Sequence, residues 1–380
     1  MGKSAYITKA AKFLPNRPVE SDDIEKYLGM IGGKPSRAKS IILRQNQIKK
    51  RYYAIGEDGE FTHTNAQLTA KAISLLFDEN HKIEDVDALY CGTSSPDQIL
   101  PSHAVMVHGE IDNAPSFETA CFSGVCCSGA HAIQYAYVSI LSGLKRNVIC
   151  AGSELASATL HARNFTEEFS TMRHVEENPI IAFDKDFIRF MLSDGAGAFY
   201  ISDSPCGLSL KIDWMESVSF ANLLPACMYQ GAVKKEDGGL IGWRLFEEHE
   251  LLKQSVLSLK QDTRLLGENV ILKSVEHIKN SGKKHDLDFS TVDYFLPHIS
   301  SMYFYPRLRD RMIEEGVGIA EEKWFLNLPY VGNVGSASIY LMVEELFNSG
   351  KLRENQKIYL FIPESGRFSY TTALLTVTNR

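Results

Sequence analysis

The segment of residues 114–154 has a strand–helix–strand pattern that constrains the fold more than any other part of the sequence. Two apolar, strand-like runs, 114–121 and 147–154, enclose a helical pattern over residues 130–143. Apolar runs rich in β-forming residues also alternate with helical patterns along the rest of the chain. Such alternation is typical of an α/β fold, which is the fold class that the sequence predicts.

The stretch Cys-Cys-Ser-Gly-Ala-His-Ala-Ile, residues 126–133, stands where the first of these strand patterns gives way to the helix. The first turn of a helix has unpaired N–H groups and the positive end of the helix dipole, and both favour a thiolate over a thiol. A cysteine at this junction is therefore expected to be a better nucleophile than a free one. The sequence thus predicts an acyl-transfer enzyme with a cysteine nucleophile.

The chain of 380 residues is longer than one typical domain and is expected to form two packed halves. Pro205-Cys206-Gly207 separates two strand-like patterns, which predicts an N-terminal half of residues 1–205 and a C-terminal half of residues 206–380. We interpret residues 215–284 of the second half as a charge-rich, mainly helical region. No low-complexity linker is visible, so we expect the halves to be packed together rather than tethered.

Composition and charge argue against several function classes. The formal net charge of −7 argues against nucleic-acid binding, because a face that binds a duplex is usually basic. No stretch approaches the roughly 18 continuous apolar residues of a membrane span. The N-terminus reads as a short strand rather than an export signal, and the seven cysteines have no framework spacing, so we expect reduced thiols in the cytoplasm. Cys121, Cys126 and Cys127 lack a second ligand pair at zinc-type spacing, and the sequence predicts neither a metal ion nor another cofactor.

Two further residues stand at junctions similar to that of Cys126. His298 follows a proline at the end of a strand-like run, and Asn333 lies in a Gly-rich loop, residues 331–338, before a helical pattern. Each of these residue types is more often structural than catalytic when it occurs alone. Their order along the chain, each at a strand-to-loop boundary, favours one catalytic site formed by Cys126, His298 and Asn333.

Five ordered blocks resemble the thiolase-fold condensing enzymes, and especially the type III ketoacyl carrier-protein synthases, over nearly the whole chain. The blocks are residues 87–97 with 101–104, 126–133, 193–198, 297–298, and 332–333 with 336–338. The resemblance implies a thiolase fold, in which two α/β halves pack in αβαβα layers, and a homodimer. It also implies that the substrates are thioesters of acyl carrier protein or of coenzyme A.

Three cysteines compete for the role of nucleophile. Cys126 begins an ungapped match to the superfamily pattern Cys-x-Ser-Ser/Gly-Ala-His-Cys/Ala-Ile, and Glu154 follows it by 28 positions, as in the family spacing to the acidic residue after the next strand. Cys127 is followed by a Ser-Gly pair similar to the Cys-x-Gly of type III synthases, but it requires a deletion in the helix. Cys121 requires a large insertion. We therefore favour Cys126 and keep Cys127 as the alternative nucleophile.

The resemblance implies a two-stage mechanism. Cys126 takes an acyl group from a thioester and forms an acyl-enzyme. His298 and Asn333 then donate hydrogen bonds to the thioester carbonyl of a second substrate as it becomes an enolate. The carbanion attacks the acyl-cysteine and forms a carbon–carbon bond.

Within the family, the pattern is most similar to the bacterial ketosynthase-cyclases of dialkylresorcinol and stilbene pathways. These enzymes join an acyl thioester to a β-ketoacyl thioester and close a cyclohexane-1,3-dione ring. Glu154, at a strand end, and Arg163, nine positions later, are the residues that we assign to the cyclisation pocket; a structural ion pair between them is the alternative. The chain departs from housekeeping fatty-acid synthases after His298, at Ser40 and at residues 364–368, which favours secondary metabolism and a carrier-protein-bound substrate.

Two other function classes remain open on the sequence alone. One is an acyltransferase of the same fold that acts on oxygen or nitrogen acceptors. The other is a non-catalytic partner subunit of a ketosynthase, although such partners typically lack the nucleophile. An acidic carrier protein would need a basic docking patch, and residues 39–51, with Arg44, Lys49 and Lys50, are a candidate; a solvated helix face explains the same charges equally well.

Overall fold

The computed structural model of the protein describes residues 3–165 and 186–379. The strands are β1 (Ala5–Phe13), β2 (Val19–Glu20), β3 (Lys50–Arg51), β4 (Ala88–Thr93), β5 (Glu118–Ser123), β6 (Asn147–Glu154), β7 (Gly195–Ser202), β8 (Leu208–Ser219), β9 (Met228–Tyr229), β10 (Ala232–Lys234), β11 (Leu240–Gly242), β12 (Lys260–Gln261), β13 (Tyr294–Pro297), β14 (Lys357–Glu364) and β15 (Ser369–Asn379). The α-helices include α1 (Ile24–Leu28), α2 (Lys39–Asn46), α3 (Asn65–Ser74), α4 (His103–Gly109), α5 (Cys126–Leu141), α6 (Ala156–Leu160), α7 (Glu248–Lys253), α8 (Thr263–Lys284), α9 (Tyr305–Glu314), α10 (Leu328–Val331) and α11 (Ser338–Phe347). Among the helices so described, none has both the length and the apolar character needed to cross a membrane.

Nine strands form one mixed sheet in the order β13-β14-β15-β8-β1-β7-β6-β4-β5. Strand β4 is parallel to both β5 and β6, and β13 is parallel to β14. Because parallel strands end at the same edge of a sheet, the residues that follow β4 and β6 lie together, as do those that follow β13 and β14. Residues 5–7 of β1 pair with residues 210–212 of β8 and join the two parts of the sheet. The predicted boundary after residue 205 falls between β7 and β8, and the division into two domains there stays a prediction.

Two central helices, α5 and α11, lie between the strands of the N-terminal and C-terminal parts. Helix α5 contacts β4 and β6 as well as β14 and β15, and α11 contacts β1 and β7 as well as β13. Helix α3 covers β1, β6 and β7, whereas α8 covers β14 and β15. Separate hydrophobic clusters fill the spaces between these layers. The arrangement confirms the predicted α/β class and its αβαβα layering.

The prediction of a mainly helical region over residues 215–284 is wrong for its first part. Strand β8 continues to Ser219, and the chain then forms the short strands β9–β12 and the short helix α7 before α8 begins. Gly231 (φ +69°) and Gly238 (φ +84°) have left-handed backbone conformations, which do not fit inside a right-handed helix. The helical prediction is confirmed for α8, from Thr263 to Lys284.

Candidate active site

The ends of four elements meet at one cavity. Cys126 is the first residue of α5, Glu154 is the last residue of β6, and His298 directly follows β13. Asn333 follows the short helix α10. All four residues line the cavity, so the structure brings together four of the site residues predicted from the sequence.

The rest of the cavity wall is largely apolar. Among the described residues that line it, Cys126, Glu154 and His298 are the ionisable ones. Much of the remaining wall consists of methionine and branched aliphatic side chains, namely Met191, Leu192, Met228, Leu259, Leu266 and Val270. Flexible and branched apolar side chains around a few polar groups suit a ligand with a hydrocarbon chain.

The loop that contains Asn333 packs closely against α5 and β6 because two glycines lie beneath it. A Cβ atom on Gly129 would lie 2.2 Å from the carbonyl oxygen of Ser336, and one on Gly152 would lie 2.5 Å from the same atom. Either side chain would therefore displace the loop. The two glycines let the loop approach the first turn of α5.

Hydrogen bonds within this loop orient the side chain of Asn333. Its Oδ1 accepts the N–H of Gly335 at 2.9 Å and the hydroxyl of Ser338 at 3.4 Å. The N–H of Ser193 donates to the Asn333 carbonyl at 2.9 Å and fixes the backbone. Because the amide oxygen is occupied, the Nδ2 amino group is the part of Asn333 that is left to donate to a ligand.

His298 is held at the end of β13 by its backbone N–H, which donates to the Phe361 carbonyl of β14 at 2.8 Å. The ring is buried, and its Nε2 has no hydrogen-bond partner in the described part of the chain. Burial lowers the pKa of His298 to about 4, so the imidazole is neutral at pH 7. A neutral imidazole with an unpartnered nitrogen is free to exchange a hydrogen bond with a substrate.

The expectation that the start of helix α5 shifts Cys126 toward the thiolate is wrong for the resting site. Burial raises the pKa of the Cys126 thiol well above its usual range, and the carboxyl groups of Glu364 and Glu154 raise it further. Desolvation and nearby negative charge both disfavour the anion. These two effects outweigh the helix dipole, so Cys126 is a neutral thiol in the unliganded protein.

The two competing cysteines do not line the cavity. Cys127 is fully buried, and its thiol donates to the Ile362 carbonyl at 3.3 Å. Cys121 lies in the edge strand β5, opposite Cys91 of β4. Within residues 3–165 and 186–379, no three His, Cys, Asp or Glu side chains are arranged to hold a metal ion. A ligand in the cavity therefore meets Cys126 rather than the other two thiols.

Serine hydroxyls and backbone amides hold Glu154 in the cavity wall. Its Oε2 accepts the hydroxyls of Ser94 at 2.7 Å and Ser95 at 2.6 Å, and its Oε1 accepts the N–H of Ser336 at 3.2 Å. Burial raises the pKa of Glu154, whereas these hydrogen bonds oppose the rise. Such opposed effects are found in groups that take up and release protons at functional sites.

Arg163 does not line the cavity with Glu154, which corrects its assignment to the pocket. Its guanidinium lies 4.9 Å from the centre of the Phe61 ring, and the residue is exposed. In the turn Ala162–Phe165 it is Phe165 that is buried. Because the residue is exposed, the guanidinium stays hydrated while it also contacts the aromatic face.

Sequence reasoning missed Ser94 and Ser95, which line the cavity and bind Glu154. Gly92 of β4 is paired in parallel register with Gly152 of β6, so the residues after β4 lie beside the end of β6. The sequence signal for a contact between Ser94 or Ser95 and Glu154 is that polar residues lie at the ends of both strand patterns. The signal becomes decisive once the two strands are known to be parallel neighbours.

The basic segment of residues 39–51 is not one exposed patch. Lys39 and Lys50 each form an ion pair with a glutamate at 3.2 Å. Arg51 is fully buried, whereas Arg44 is exposed. Much of the charge in this segment is therefore paired or buried, and carrier-protein docking here stays a prediction.

The C-terminal part of the chain, residues 283–375, matches the family model described as 3-oxoacyl-[acyl-carrier-protein (ACP)] synthase III C terminal. Over 375 residues the chain is 23% identical to the β-ketoacyl-[acyl-carrier-protein] synthase III of Campylobacter jejuni subsp. doylei. That alignment covers 98% of this chain and 97% of the relative. The similarity thus extends over both parts of the sheet.

Two solved structures have the same fold. One is AbyA1, described as a tetronic acid condensing enzyme, with a TM-score of 0.74, 17% identity, and coverage of 98% of this chain and 99% of that chain. The other is β-ketoacyl-[acyl-carrier-protein] synthase III of Thermus thermophilus, with a TM-score of 0.72, 20% identity and complete coverage of both chains. These likenesses confirm the predicted thiolase fold. The family match and the full-length relative add similarity in sequence to the β-ketoacyl-[acyl-carrier-protein] synthase III proteins.

Proposed function

We propose that the protein is a condensing enzyme that joins an acyl thioester to a β-ketoacyl thioester by forming a carbon–carbon bond. The observation that supports this most directly is that Cys126, His298 and Asn333 line one cavity. Cys126 supplies the acyl acceptor, and the other two residues supply hydrogen-bonding groups for the oxygen that becomes negatively charged. Similarity to β-ketoacyl-[acyl-carrier-protein] synthase III proteins supports the same assignment.

In the first stage, Cys126 Sγ attacks the carbonyl carbon of the acyl thioester. The new sulfur–carbon bond forms as the bond to the carrier sulfur breaks, and the proton of Cys126 leaves on the carrier thiol. Since the resting residue is a thiol, deprotonation must accompany substrate binding.

In the second stage, the β-ketoacyl thioester loses a proton from the carbon between its two carbonyl groups. His298 and the Nδ2 group of Asn333 stabilise the enolate oxygen, where negative charge develops. The enolate carbon attacks the acyl carbonyl, the bond to Cys126 breaks, and the sulfur regains a proton. One carrier thiol is released for each new carbon–carbon bond.

The apolar wall supports an acyl group with a hydrocarbon chain as the substrate. The similar proteins that carry the synthase III name are named for acyl carrier protein, which supports a carrier-bound thioester as the donor. A coenzyme A thioester is the alternative donor.

We further propose that the enzyme closes a dialkyl-cyclohexane-1,3-dione ring in dialkylresorcinol- or stilbene-type secondary metabolism. Ring closure needs a second carbon nucleophile, formed by removal of another proton next to a carbonyl, and a second electrophilic carbon. An α,β-unsaturated acyl group supplies that carbon at its β position: the ring bond forms there as the carbon–carbon double bond is lost, and the proton returns to the α-carbon. Glu154 lies in the cavity wall, and its hydrogen bonds to Ser94 and Ser95 hold it in one orientation. A buried carboxyl group of this kind is suited to accept that proton and return it.

Product analysis tests the proposal. The purified chain is incubated with an acyl and a β-ketoacyl carrier-protein thioester, and the products are identified by mass spectrometry. We expect a product that contains both acyl chains and a new carbon–carbon bond. Hydrolysis alone, or transfer of the acyl group to an oxygen or nitrogen acceptor, would contradict condensation.

The variant Glu154→Gln is expected to self-acylate at Cys126 while its yield of cyclic product falls by about a hundredfold or more. Glutamine keeps the shape and several hydrogen bonds but cannot carry the proton. The measurement is the ratio of cyclic to linear product per acyl-enzyme formed. Glu25→Gln is the matched control, because Glu25 is also buried and accepts a backbone N–H, from Ser36 at 2.8 Å, outside the cavity. Unchanged cyclic yield in Glu154→Gln would return this residue to a structural role.

We propose that two copies of the chain associate through β5 and the outer face of α5. Strand β5 lies at one end of the sheet, and its outer edge presents backbone groups that a second strand can bind. Beside it, α5 exposes three apolar side chains at a spacing of three residues, Tyr135, Val138 and Leu141. A second copy of the same chain would cover the edge and this face together.

Sedimentation at micromolar concentration is expected to give a species of twice the chain mass of 42.5 kDa. Val138→Glu is expected to shift most of the protein to the monomer, because it places a charge in the covered face. Leu272→Glu is the matched control, since Leu272 is an equally exposed aliphatic residue on α8. A wild-type monomer, or equal effects of the two substitutions, would contradict this interface.

A further inference from the structure

Glu364 caps the helix that carries the proposed nucleophile from a distant part of the chain. It is the last residue of β14, and its side chain is buried. Its Oε2 accepts the N–H of Val125 at 3.2 Å and the N–H of Cys127 at 3.0 Å. These two amides flank Cys126 in the chain. The carboxyl group of Glu364 thus holds both peptide groups next to the nucleophile.

The cap is needed because the start of α5 has no cap of its own. Val125, the residue before the helix, has φ −98° and ψ −126° and makes no side-chain capping bond. The first N–H groups of a helix have no partner within it, and they are usually satisfied by a nearby Ser, Thr, Asp or Asn. Here a glutamate from the other part of the sheet takes that place.

Glu364 does not take part in the cavity wall itself. Its neighbours Pro363 and Ser365 line the cavity, whereas Glu364 binds the backbone of α5. This alternation is what an extended strand end produces, because successive side chains point to opposite faces. Glu364 therefore contacts the backbone on either side of the nucleophile and does not contact a substrate in the cavity.

We propose that Glu364 is a positioning residue that fixes the first turn of α5 and places a negative charge beside the sulfur of Cys126. The inference rests on the proposed function, in which Cys126 is the nucleophile. The amides that would otherwise stabilise a thiolate are already bound to a carboxyl group. Cys126 consequently stays a thiol until substrate binds, and it is protected from reaction with other electrophiles.

The groups that face Cys126 agree with this role. Glu364 from β14 and Glu154 from β6 both raise the pKa of the thiol, after burial as the largest cause, and the N–H of Cys126 itself opposes them. Burial also raises the pKa of Glu364, whereas the hydrogen bonds that it accepts from the N–H groups of Cys127 and Val125 favour its charged form. His298, after β13, is neutral near pH 7 and adds no positive charge. The described wall of the cavity has no lysine or arginine that would offset the two acids.

The test is the rate of alkylation of Cys126 by iodoacetamide as a function of pH, with the labelled residue identified by peptide fragmentation. In Glu364→Gln, which keeps an oxygen to accept the amides, the rate at pH 7 is expected to rise by about fivefold or more, because a negative charge is lost beside the sulfur. The plateau rate at high pH is expected to change by less than about twofold, because access to the sulfur is the same. Glu25→Gln is expected to leave the whole profile unchanged.

An unchanged profile in Glu364→Gln would overturn the inference, and so would a rate increase of the same size at every pH, which indicates greater access instead. If this variant does not fold, the pH profile of the wild-type protein is the test. The alkylation rate is then expected to keep rising above pH about 8.5, the ordinary pKa of a cysteine thiol. A rate that reaches its plateau below pH 7 would overturn the inference. The assay needs no condensation. A wild-type protein that shows the shifted profile but forms no carbon–carbon bond would refute the proposed function alone.

Discussion

Cys126→Ala is expected to form no acyl-enzyme and to lose condensation by at least about a thousandfold, the scale found when a catalytic nucleophile is removed. Without the sulfur at the first turn of α5, the acyl group has no covalent attachment in the cavity. Intact-protein mass after incubation with an acyl carrier-protein thioester measures the first loss directly. Product formation under the same conditions measures the second.

Cys127→Ala is the matched control because it removes the adjacent thiol from the same helix turn. The Cys127 thiol binds the Ile362 carbonyl and does not line the cavity, so we expect acylation to persist in this variant. Fragmentation of the acylated peptide should place the acyl group on Cys126. Acylation that survives in Cys126→Ala and disappears in Cys127→Ala would reverse the assignment.

The site residues, and their position on one cavity, could be predicted because each residue lies at a boundary between two local sequence patterns. Cys126 follows a strand pattern and begins a helix, His298 follows a strand that ends in proline, and Asn333 lies in a Gly-rich loop. Parallel strands with helices between them carry such boundaries to one edge of the sheet. The structure places Cys126 and His298 on one cavity for this reason, whereas Asn333 reaches the same cavity from the loop after the short helix α10 rather than from a strand.

The charge of Cys126 could not be predicted in the same way. The helix terminus is a local feature and favours the thiolate, whereas burial and Glu364 depend on packing. Glu364 binds the amide of Cys127 across 237 positions of sequence. No periodicity or spacing in a single sequence connects residues so far apart. The sequence pattern predicted the effect of the helix terminus on the thiol pKa, but burial and Glu364 have larger effects in the opposite direction.

The region between β8 and α8 shows a second limit of the sequence patterns. Its charged residues suggest a solvated helix, but the backbone conformations of Gly231 and Gly238 favour turns between short strands. Strand β9 places Met228 in the cavity wall, and Leu259, directly before β12, lies there too. The cavity wall is therefore built in part from a segment that the sequence pattern did not connect with the site.

His298→Ala and Asn333→Ala are each expected to self-acylate at Cys126 but to lose condensation by about a hundredfold or more, as is typical for the loss of one donor to a developing oxyanion. The Nδ2 group of Asn333 is oriented by the bond from Gly335 to its Oδ1, so truncation removes a fixed donor. Single-turnover reaction of the preformed acyl-enzyme with a β-ketoacyl thioester separates this step from acylation.

Two buried residues outside the cavity provide matched controls. His277 is also buried, with a pKa lowered to about 4, and binds Thr372 at 3.2 Å; Asn327 is buried and donates to Glu345 at 3.1 Å. His277→Ala and Asn327→Ala are expected to lower stability without separating condensation from acylation. Equal loss of both steps in all four variants would show that the effects arise from destabilisation.

The pH dependence gives an independent check on His298. A histidine whose pKa is lowered to about 4 is neutral above that value, so it gains a proton only as the pH falls through about 4. Titration of His298 is therefore expected to leave the condensation rate of the acyl-enzyme unaffected between pH 6 and pH 8. A step near pH 6.5 that disappears in His298→Ala would show that the imidazole titrates with its ordinary pKa. The assignment of a neutral, buried imidazole to His298 would then be wrong. The proposed role of His298 as the neutral partner of Asn333 at the enolate oxygen would be wrong as well.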